Sequence, residues 1–457
     1  MILLISALAR RAVRNGYRRV LCLGIVFAIL GPGVGGASAS PTCDSISDPN
    51  SIVACALASS PELRSQEQEV HVLHGQRLRA RSLLPTHPTV QVSFAGRRPL
   101  AVSADVQTTL NWYVTLSQEI EIAGQRGARV RAADAAISAQ QRRVLVTAQE
   151  VASAALSTYY DALAATEAVA LGREVAGLAE QLAVVGAARS QTALTSPLDA
   201  HVAQAEAARL AALRWEAERR VDELRRSLAL QLGQPTLGAL HGSLDTLPGT
   251  DRSPHQADHA EALVAQALAL RGDLAAARLE QELRAARVQV LRRERVPNLT
   301  LSFMAQRDGF DEQVFGGGIS LPLPLPAPLG PSRAGEIVAA EAQVAQAGLT
   351  VERLARQVRA EVLRAIEREC SYVMQARMFP AELATKARAD LAALGQAIAA
   401  RQLAPRDALV AQRSLVEFLM GYVEVRRGLA LSRIERLRAA GQSLALALVP
   451  QIEGGPR

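Results

Sequence analysis

The sequence carries one pattern twice. The segment PTVQVSF at residues 88–94 recurs as PNLTLSF at 297–303, an offset of 209 residues, and SPLDAHVAQ at 196–204 recurs as APRDALVAQ at 404–412, an offset of 208. Two unrelated patterns that repeat at nearly one spacing indicate a duplicated architecture. In each copy a short alternating segment precedes a long helical segment, a proline-marked turn and a second long helix. The sequence therefore predicts two copies of a β-hairpin joined to a helical hairpin.

The N-terminus predicts export. Arginines precede an apolar segment at 20–30, and Ala37-Ser38-Ala39 supplies the small residues of a signal cleavage site. A retained membrane anchor is the alternative, but the apolar segment is about half as long as the ~20 residues that a spanning helix requires. We therefore interpret residues 1–39 as a cleaved signal peptide. Cys43 and Cys55 could then close a disulfide in an oxidising compartment.

Four short segments alternate between apolar and polar residues, at about 88–96, 106–118, 297–306 and 313–321. Each is close to the ~9–11 residues of a tilted transmembrane strand, and this alternation is typical of a barrel around water. A half-buried sheet in a soluble domain would alternate in the same way. The arrangement as two hairpins favours the barrel. Since four strands cannot close a barrel in lipid, several chains are expected to share one.

Long, alanine-rich helices are predicted between the strands. The first, at about 125–190, would span roughly 95 Å. The predicted organisation is an N-terminal segment with a first helix (40–86), a first repeat (87–232, helices about 125–190 and 197–232), an equatorial linker (233–260), a second repeat (261–449, helices about 261–295, 332–400 and 405–449) and a tail (450–457). Pro380 lies inside one of these helices, where a kink is expected.

The two helical hairpins turn at 186–196 and 395–404. Pro197 and Pro405 suit the first helical position. Asp199 and Asp407 follow two residues later, where a carboxylate favours the positive end of a helix. Helix capping is the simpler interpretation of both aspartates, and contact with a partner is the alternative.

The chain resembles the TolC-type outer-membrane efflux factor family over nearly its whole mature length. The order of strand pairs and helical hairpins, and their duplication, match that family. Four segments of the sequence also resemble the family. Residues 48–63 are similar to the start of the family's N-terminal helix, and residues 117–129 to the junction of barrel and helix in its heavy-metal branch. Residues 296–301 and 318–324 are similar to strands of the family's second repeat.

This resemblance implies a mainly α fold with a transmembrane β-barrel contribution. A homotrimer would combine four strands per chain into a twelve-stranded barrel in the Gram-negative outer membrane, with an α-helical barrel in the periplasm. Its function would be the passive exit duct of a tripartite efflux or type I secretion system. The implied partners are outer-membrane lipid, a periplasmic adaptor (membrane fusion protein) and an inner-membrane RND or ABC pump.

The resemblance also implies roles for residues at the hairpin tips. Residues that match adaptor-contact positions are Val185, Gly186, Ala187, Asp199, Leu394, Gly395 and Gln396. Arg401, Arg406 and Asp407 are candidates for contacts that hold the tips closed. A periplasmic coiled-coil adaptor or a structural scaffold is the alternative function. An adaptor, however, has one helical hairpin beside a lipoyl-like domain, whereas this chain has two hairpins and four strands.

The sequence predicts no enzyme. It contains no recognisable nucleophile motif, phosphate-binding loop or set of metal ligands, so we expect no catalytic residue, cofactor or metal site. The pairs His71 and His74, and His255 and His259, could each supply half a metal site, but exposed polar residues explain them more simply. No basic cluster with interleaved aromatic residues indicates nucleic-acid binding.

Overall fold

A computed structural model describes residues 48–97, 109–192, 196–238, 240–245, 257–307, 312–323, 333–400, 402 and 405–442. The chain divides into two units, 1–40 and 41–457, and the described residues all belong to the second. Several sequence predictions lie outside the described residues: the signal peptide, Cys43, His255, Arg401 and the tail. The predicted Cys43–Cys55 disulfide therefore stays a prediction, although Cys55 is buried in the core.

The described elements follow the predicted alternation of strands and helices. In chain order they are α1 (Pro49–Ser59), α2 (Pro61–Ala80), β1 (Thr89–Arg97), β2 (Thr109–Ile120), α3 (Gln125–Gln191), α4 (Pro197–Gln231), α5 (Ala257–Leu270), α6 (Gly272–Arg293), β3 (Leu299–Arg307), β4 (Gln313–Ser320), α7 (Ala334–Met378), α8 (Ala381–Ala399) and α9 (Pro405–Ala439).

Two predicted helices are each divided in two. The prediction of a single helix at 332–400 is wrong, because α7 ends at Met378 and α8 begins at Ala381. Proline lacks an N–H donor and disfavours helical geometry at the residue before it, and Phe379 accordingly has φ −120° and ψ 68°. The helix expected at 261–295 begins at Ala257, inside the predicted linker, and is interrupted at Arg271.

The duplication is also visible in the backbone. Left-handed residues immediately precede α3 and α7, at Gly124 (φ 73°) and Arg333 (φ 52°), which are 209 residues apart. Gly233 and Gly441, 208 residues apart, are both left-handed and follow the ends of α4 and α9. After each glycine the next N–H bonds the carbonyl five residues earlier, the pattern of a Schellman cap. The two repeats therefore share their helix boundaries.

The largest cluster of buried side chains joins α1, the middle of α3, the end of α4 and α9. Tyr159 and Tyr160 on α3 are fully buried at its centre, and burial raises the pKa of both phenols. The Tyr159 hydroxyl donates a hydrogen bond to the carbonyl of His241 at 3.0 Å. A Cβ on Gly242 would overlap that hydroxyl, so only glycine fits at this position.

The strands form one antiparallel sheet in the order β1-β2-β3-β4. The pairing of β2 with β3 joins the two repeats, with Leu116 opposite Phe303 and Val114 opposite Ala305. Because residues directly opposite each other point to the same side, the register assigns every strand residue to one of two faces. The predicted alternation is confirmed in all four strands.

Candidate functional site

The first candidate surface is the apolar face of the sheet. It combines side chains from all four strands: Val90, Val92, Phe94, Leu110, Trp112, Val114, Leu116, Leu299, Leu301, Phe303, Ala305, Phe315 and Ile319. Phe94 is 68% exposed and Ile319 is 74% exposed, at opposite edges of the sheet. In the described part of the chain no helix covers this face. An exposed apolar patch of this extent marks a surface that contacts a membrane or another protein.

The opposite side is the polar face of the sheet. It carries Gln91, Ser93, Tyr113, Thr115, Ser117, Thr300, Ser302, Gln306, Gly318 and Ser320. The face contains few large apolar residues, so it could not pack as a core against a second sheet. The separation is incomplete, because the register also places Gln118, Arg307 and Gln313 on the apolar side and Met304 and Val314 on the polar side.

Each outer strand pairs on one side only within the described chain. β1 pairs with β2, and β4 pairs with β3, so the free edges of β1 and β4 present unpaired backbone groups. Such edges are templates for pairing with another strand. Within the described chain the sheet therefore has an exposed apolar face and two unpaired edges.

A polar network joins the sheet to the helices. The buried Gln125 at the start of α3 donates hydrogen bonds to the Val296 carbonyl and to Asn298 Oδ1, both at 3.1 Å. Asn298 in turn donates to Glu119 Oε1 at 2.8 Å. Glu121 forms an ion pair with Arg129 on the first turns of α3. The junction between strand and helix is therefore fixed by the two repeats jointly.

The second candidate surface is the tip of the helical hairpins. Leu182 and Ala183 on α3 pack there against Leu394 and Ile398 on α8, with Ala203 and Ala408 completing the tip cluster. Val185 packs at the edge of this cluster, and Leu394 is 7% exposed. The predicted tip residues of the two repeats are thus brought together, across the interface between the hairpins.

The two tip glycines allow different close approaches. A Cβ on Gly186 would lie 3.6 Å from the Cα of Ala200, within the first hairpin. A Cβ on Gly395 would lie 2.6 Å from Leu178 Cδ2, on the other hairpin. A side chain at position 186 would thus make an ordinary contact, whereas one at position 395 would require Leu178 to move. Ala187 is partly exposed and Gln396 is exposed, so these two remain accessible to a partner.

Asp199, Arg406 and Asp407 lie on the first turns of the return helices. Ser196 caps α4 by accepting a hydrogen bond from the Leu198 N–H at 3.2 Å, and Asp199 lies in the first turn beside it. Arg406 and Asp407 are exposed at the start of α9. Arg401, the third gating candidate, lies outside the described residues.

Two tip contacts were not predicted from the sequence. Gln412, in the second copy of the repeated motif, is 2% exposed and donates to the Val175 carbonyl on α3 at 3.0 Å, whereas its counterpart Gln204 is exposed. Glu206 on α4 pairs with Arg209 and, at 3.5 Å, with Arg413 of the other hairpin. The repeated motif marks Gln412 as a position of interest, but only the packing separates it from Gln204.

The ion pairs of Glu206 depend on pH, mainly through its partner on the same helix. Hydrogen bonding to Arg209 is the main cause that lowers the pKa of Glu206, and the charge of Arg413 adds to it. A carboxyl whose pKa is lowered on folding stabilises the fold above its unfolded-state pKa. This contribution is lost as pH falls through the lowered pKa.

Neither a metal centre nor a membrane-spanning helix is found among the described residues. No three His, Cys, Asp or Glu side chains there come together in a way that could hold a metal ion. His71 and His74 are exposed on α2. The helices that the structure describes include none suited to crossing a bilayer.

Comparison with known proteins gives one curated relative and several solved structures. The chain is 28% identical over 209 residues to the cobalt-zinc-cadmium resistance protein CzcC of Cupriavidus metallidurans. That match covers 45% of this chain and 48% of CzcC, so it spans about half the length of the relative. No protein-family model matches the chain.

The solved structures match over most of the chain. A membrane protein from Pseudomonas aeruginosa has a TM-score of 0.69 at 18% identity, covering 90% of this chain and 96% of that one. The outer membrane protein VceC from Vibrio cholerae has a TM-score of 0.66 at 18% identity, covering 86% and 96%. The Campylobacter jejuni CmeC outer membrane channel has a TM-score of 0.68 at 16% identity, covering 86% and 85%. The predicted resemblance to TolC-type channels is confirmed at the level of the fold.

Proposed function

We propose that this chain is a TolC-type outer-membrane efflux factor, the passive exit duct of a tripartite efflux or type I secretion system. The observation that carries the proposal is the four-stranded sheet with one apolar and one polar face, two open edges and attached helices. α3 alone has 67 residues, or roughly 100 Å of helix, enough to extend far from a membrane. This combination of a two-faced sheet and very long helices is typical of a channel and not of a soluble enzyme.

The assembly that completes the sheet is proposed to be a homotrimer. Three copies of four strands would close a barrel of twelve, with β1 of one chain beside β4 of the next. The apolar face would then contact outer-membrane lipid, and the polar face would line water. The helical hairpins of three chains would form the periplasmic barrel beneath it.

The exposed residues at the tips of the helical hairpins support a proposal about the partners of the duct. An adaptor in the periplasm would bind the hairpin tips through exposed residues such as Gln396 and Ala187, and link the duct to an RND or ABC pump in the inner membrane. Selection of the cargo is proposed to lie with the pump. The match to a metal-resistance protein favours an efflux system over protein secretion.

The proposal is tested by single-channel conductance in planar bilayers, with the oligomer mass measured in the same detergent. We expect a trimer that gives a small, mostly closed conductance. A monomer that never inserts would contradict the duct and support the adaptor or scaffold alternative. The periplasmic-adaptor alternative also predicts no heat-modifiable oligomer in the outer-membrane fraction.

Gating is predicted to depend on the charged residues of the second tip. We expect replacement of Arg401, Arg406 and Asp407 together by alanine to raise the open fraction of the channel, because contacts between closed tips are removed. The matched control replaces Arg353, Arg356 and Glu352 on α7, exposed residues far from the tip along the chain. An open fraction unchanged by the tip replacement would show that these residues do not hold the gate.

A further inference from the structure

Exposed arginines without an acidic partner lie where the helices meet the sheet. They come from three junctions between strand and helix, at the end of α2, the start of α3 and the end of α6. None of them forms an ion pair with another described residue, and together we call them the arginine belt: Arg79, Arg81, Arg126, Arg293 and Arg295. The belt therefore follows the end of the sheet from which the helices depart.

The junctions carry an excess of positive charge. The segments 79–88, 119–129, 293–298 and 320–336 contain seven arginines and four glutamates, an excess of three positive charges. Glu121 pairs with Arg129, and Glu294 and Glu336 both pair with Arg333. The fourth acid, Glu119, accepts hydrogen bonds from uncharged side chains. The acids of the junctions thus leave the belt without a counter-charge.

The belt is continuous from one junction to the next. Arg126 Nε donates a hydrogen bond to the carbonyl of Arg81 at 2.9 Å, and Arg293 donates to the carbonyl of Ala123 at 3.3 Å. Each of these two guanidinium groups has five N–H donors, so one such bond leaves most of them available. A guanidinium fork matches the oxygens of a phosphate group. The donors of the belt therefore suit phosphate.

Exposed apolar side chains lie beside the belt. Leu83 is 75% exposed and Leu84 is 43% exposed between α2 and β1, and Ile122 and Val296 are exposed at the next two junctions. A groove of about 970 Å³ at the end of α2 is lined by Arg79 together with both leucines. Arginines next to exposed leucines are typical of a surface at the boundary of a bilayer. A small soluble anion would need the arginines alone.

We propose that the arginine belt binds the phosphate groups of anionic phospholipids, with Leu83 and Leu84 among the acyl chains. The proposal rests on the proposed function and deepens it, because it names the lipid that the duct binds at the helix end of its sheet. The apolar face of the sheet begins at Val90, directly after the segment that carries the two leucines. Arginines at an anionic membrane surface strengthen binding, and salt screens that attraction.

The test is native mass spectrometry of the intact, purified protein with phosphatidylglycerol or with phosphatidylcholine of the same acyl chains. We expect an apparent Kd for phosphatidylglycerol at least about tenfold lower, and a smaller difference at higher ionic strength. Excess inorganic phosphate should leave phosphatidylglycerol bound, because it cannot replace the acyl contacts. Equal affinities for the two lipids would overturn the proposal. Complete displacement by inorganic phosphate would also overturn it, since the site would then bind phosphate and not lipid.

Two variants of equal charge locate the site. We expect glutamine at all five belt positions to reduce the preference for phosphatidylglycerol to less than about twofold, and lysine at the same positions to keep most of it. The control places glutamine at five other exposed arginines, which form no ion pair in the described chain and lie on helices away from the sheet: Arg226, Arg353, Arg356, Arg364 and Arg388. Equal losses in the two glutamine variants would assign the preference to net charge and contradict the belt.

The acyl contact has its own pair of variants. Leu83→Ser combined with Leu84→Ser should weaken the binding of both lipids. Leu198→Ser combined with Leu213→Ser on α4 is the matched control, with similar exposures of 68% and 46%, and should weaken neither. If the first pair bound lipid as well as the control pair, these leucines would not contact the acyl chains.

The same spectra separate this proposal from the proposed function, because they also give the oligomer mass. A trimer that bound both lipids equally would leave the duct standing and remove the belt. A monomer that preferred phosphatidylglycerol, and lost the preference with the belt arginines, would keep the belt and remove the duct.

Discussion

Replacing Phe94 with arginine is expected to prevent assembly in the outer membrane, whereas replacing Ser93 with arginine is expected to leave assembly intact. The two residues are neighbours on β1 but point to opposite faces of the sheet, so they share local sequence and backbone environment. Phe94 lies on the apolar face, opposite Trp112 of β2. An arginine on the lipid side of a barrel costs about 2–4 kcal/mol at the bilayer midplane and less towards the interfaces, and every subunit of an oligomer would bear the cost at its own depth.

The measurement is the amount of heat-modifiable oligomer in the outer-membrane fraction. A second matched pair, Ile319→Arg and Ser320→Arg on β4, repeats the comparison at the opposite edge of the sheet. If Phe94→Arg and Ser93→Arg assembled equally well, the apolar face would not be the lipid face. If neither variant assembled, β1 would not tolerate arginine on either face. The comparison of Ile319→Arg with Ser320→Arg would then decide whether the apolar face contacts lipid.

The faces of the sheet could be predicted from the sequence because alternation is a local property. Residues such as Val90, Val92 and Phe94 fall on one side of a strand whatever it pairs with. The pairing of β2 with β3 could not be predicted locally, since it joins residues that are far apart in the chain. The repeat spacing indicates that the two hairpins are equivalent, but it does not determine which of their strands lie next to each other in the sheet.

The helices show the same division between local and distant causes. Pro380 predicts a disruption of the helix, but a proline alone does not distinguish a kink from a complete break. The stacking of Phe379 on Phe418 could not be predicted locally, because Phe418 lies on a helix that follows later in the chain. Gln204 and Gln412 occupy the same place in a repeated motif, yet one is exposed and the other buried. Their difference arises because α4 and α9 turn different faces towards α3.

Replacing Glu369 with alanine is expected to cause a large loss of stability. Glu369 is 3% exposed, and its carboxylate pairs with Arg436 and, at 3.4 Å, with Arg433 of α9. Removing the acid leaves two partly buried guanidinium groups without their shared counter-charge, which costs about 3–5 kcal/mol for a buried pair. The matched control is Glu435→Ala, which breaks the neighbouring but more exposed pair with Arg368 and should cost less than about 1 kcal/mol.

Thermal unfolding followed by circular dichroism distinguishes the two variants in one detergent. We expect a clear fall in the midpoint for Glu369→Ala and a small one for Glu435→Ala. Replacing Glu369, Arg433 and Arg436 together by leucine or methionine should recover much of the loss, because no unpaired charge then remains buried. Equal midpoints for the two single variants would mean that the Glu369 cluster does not hold α7 on α9.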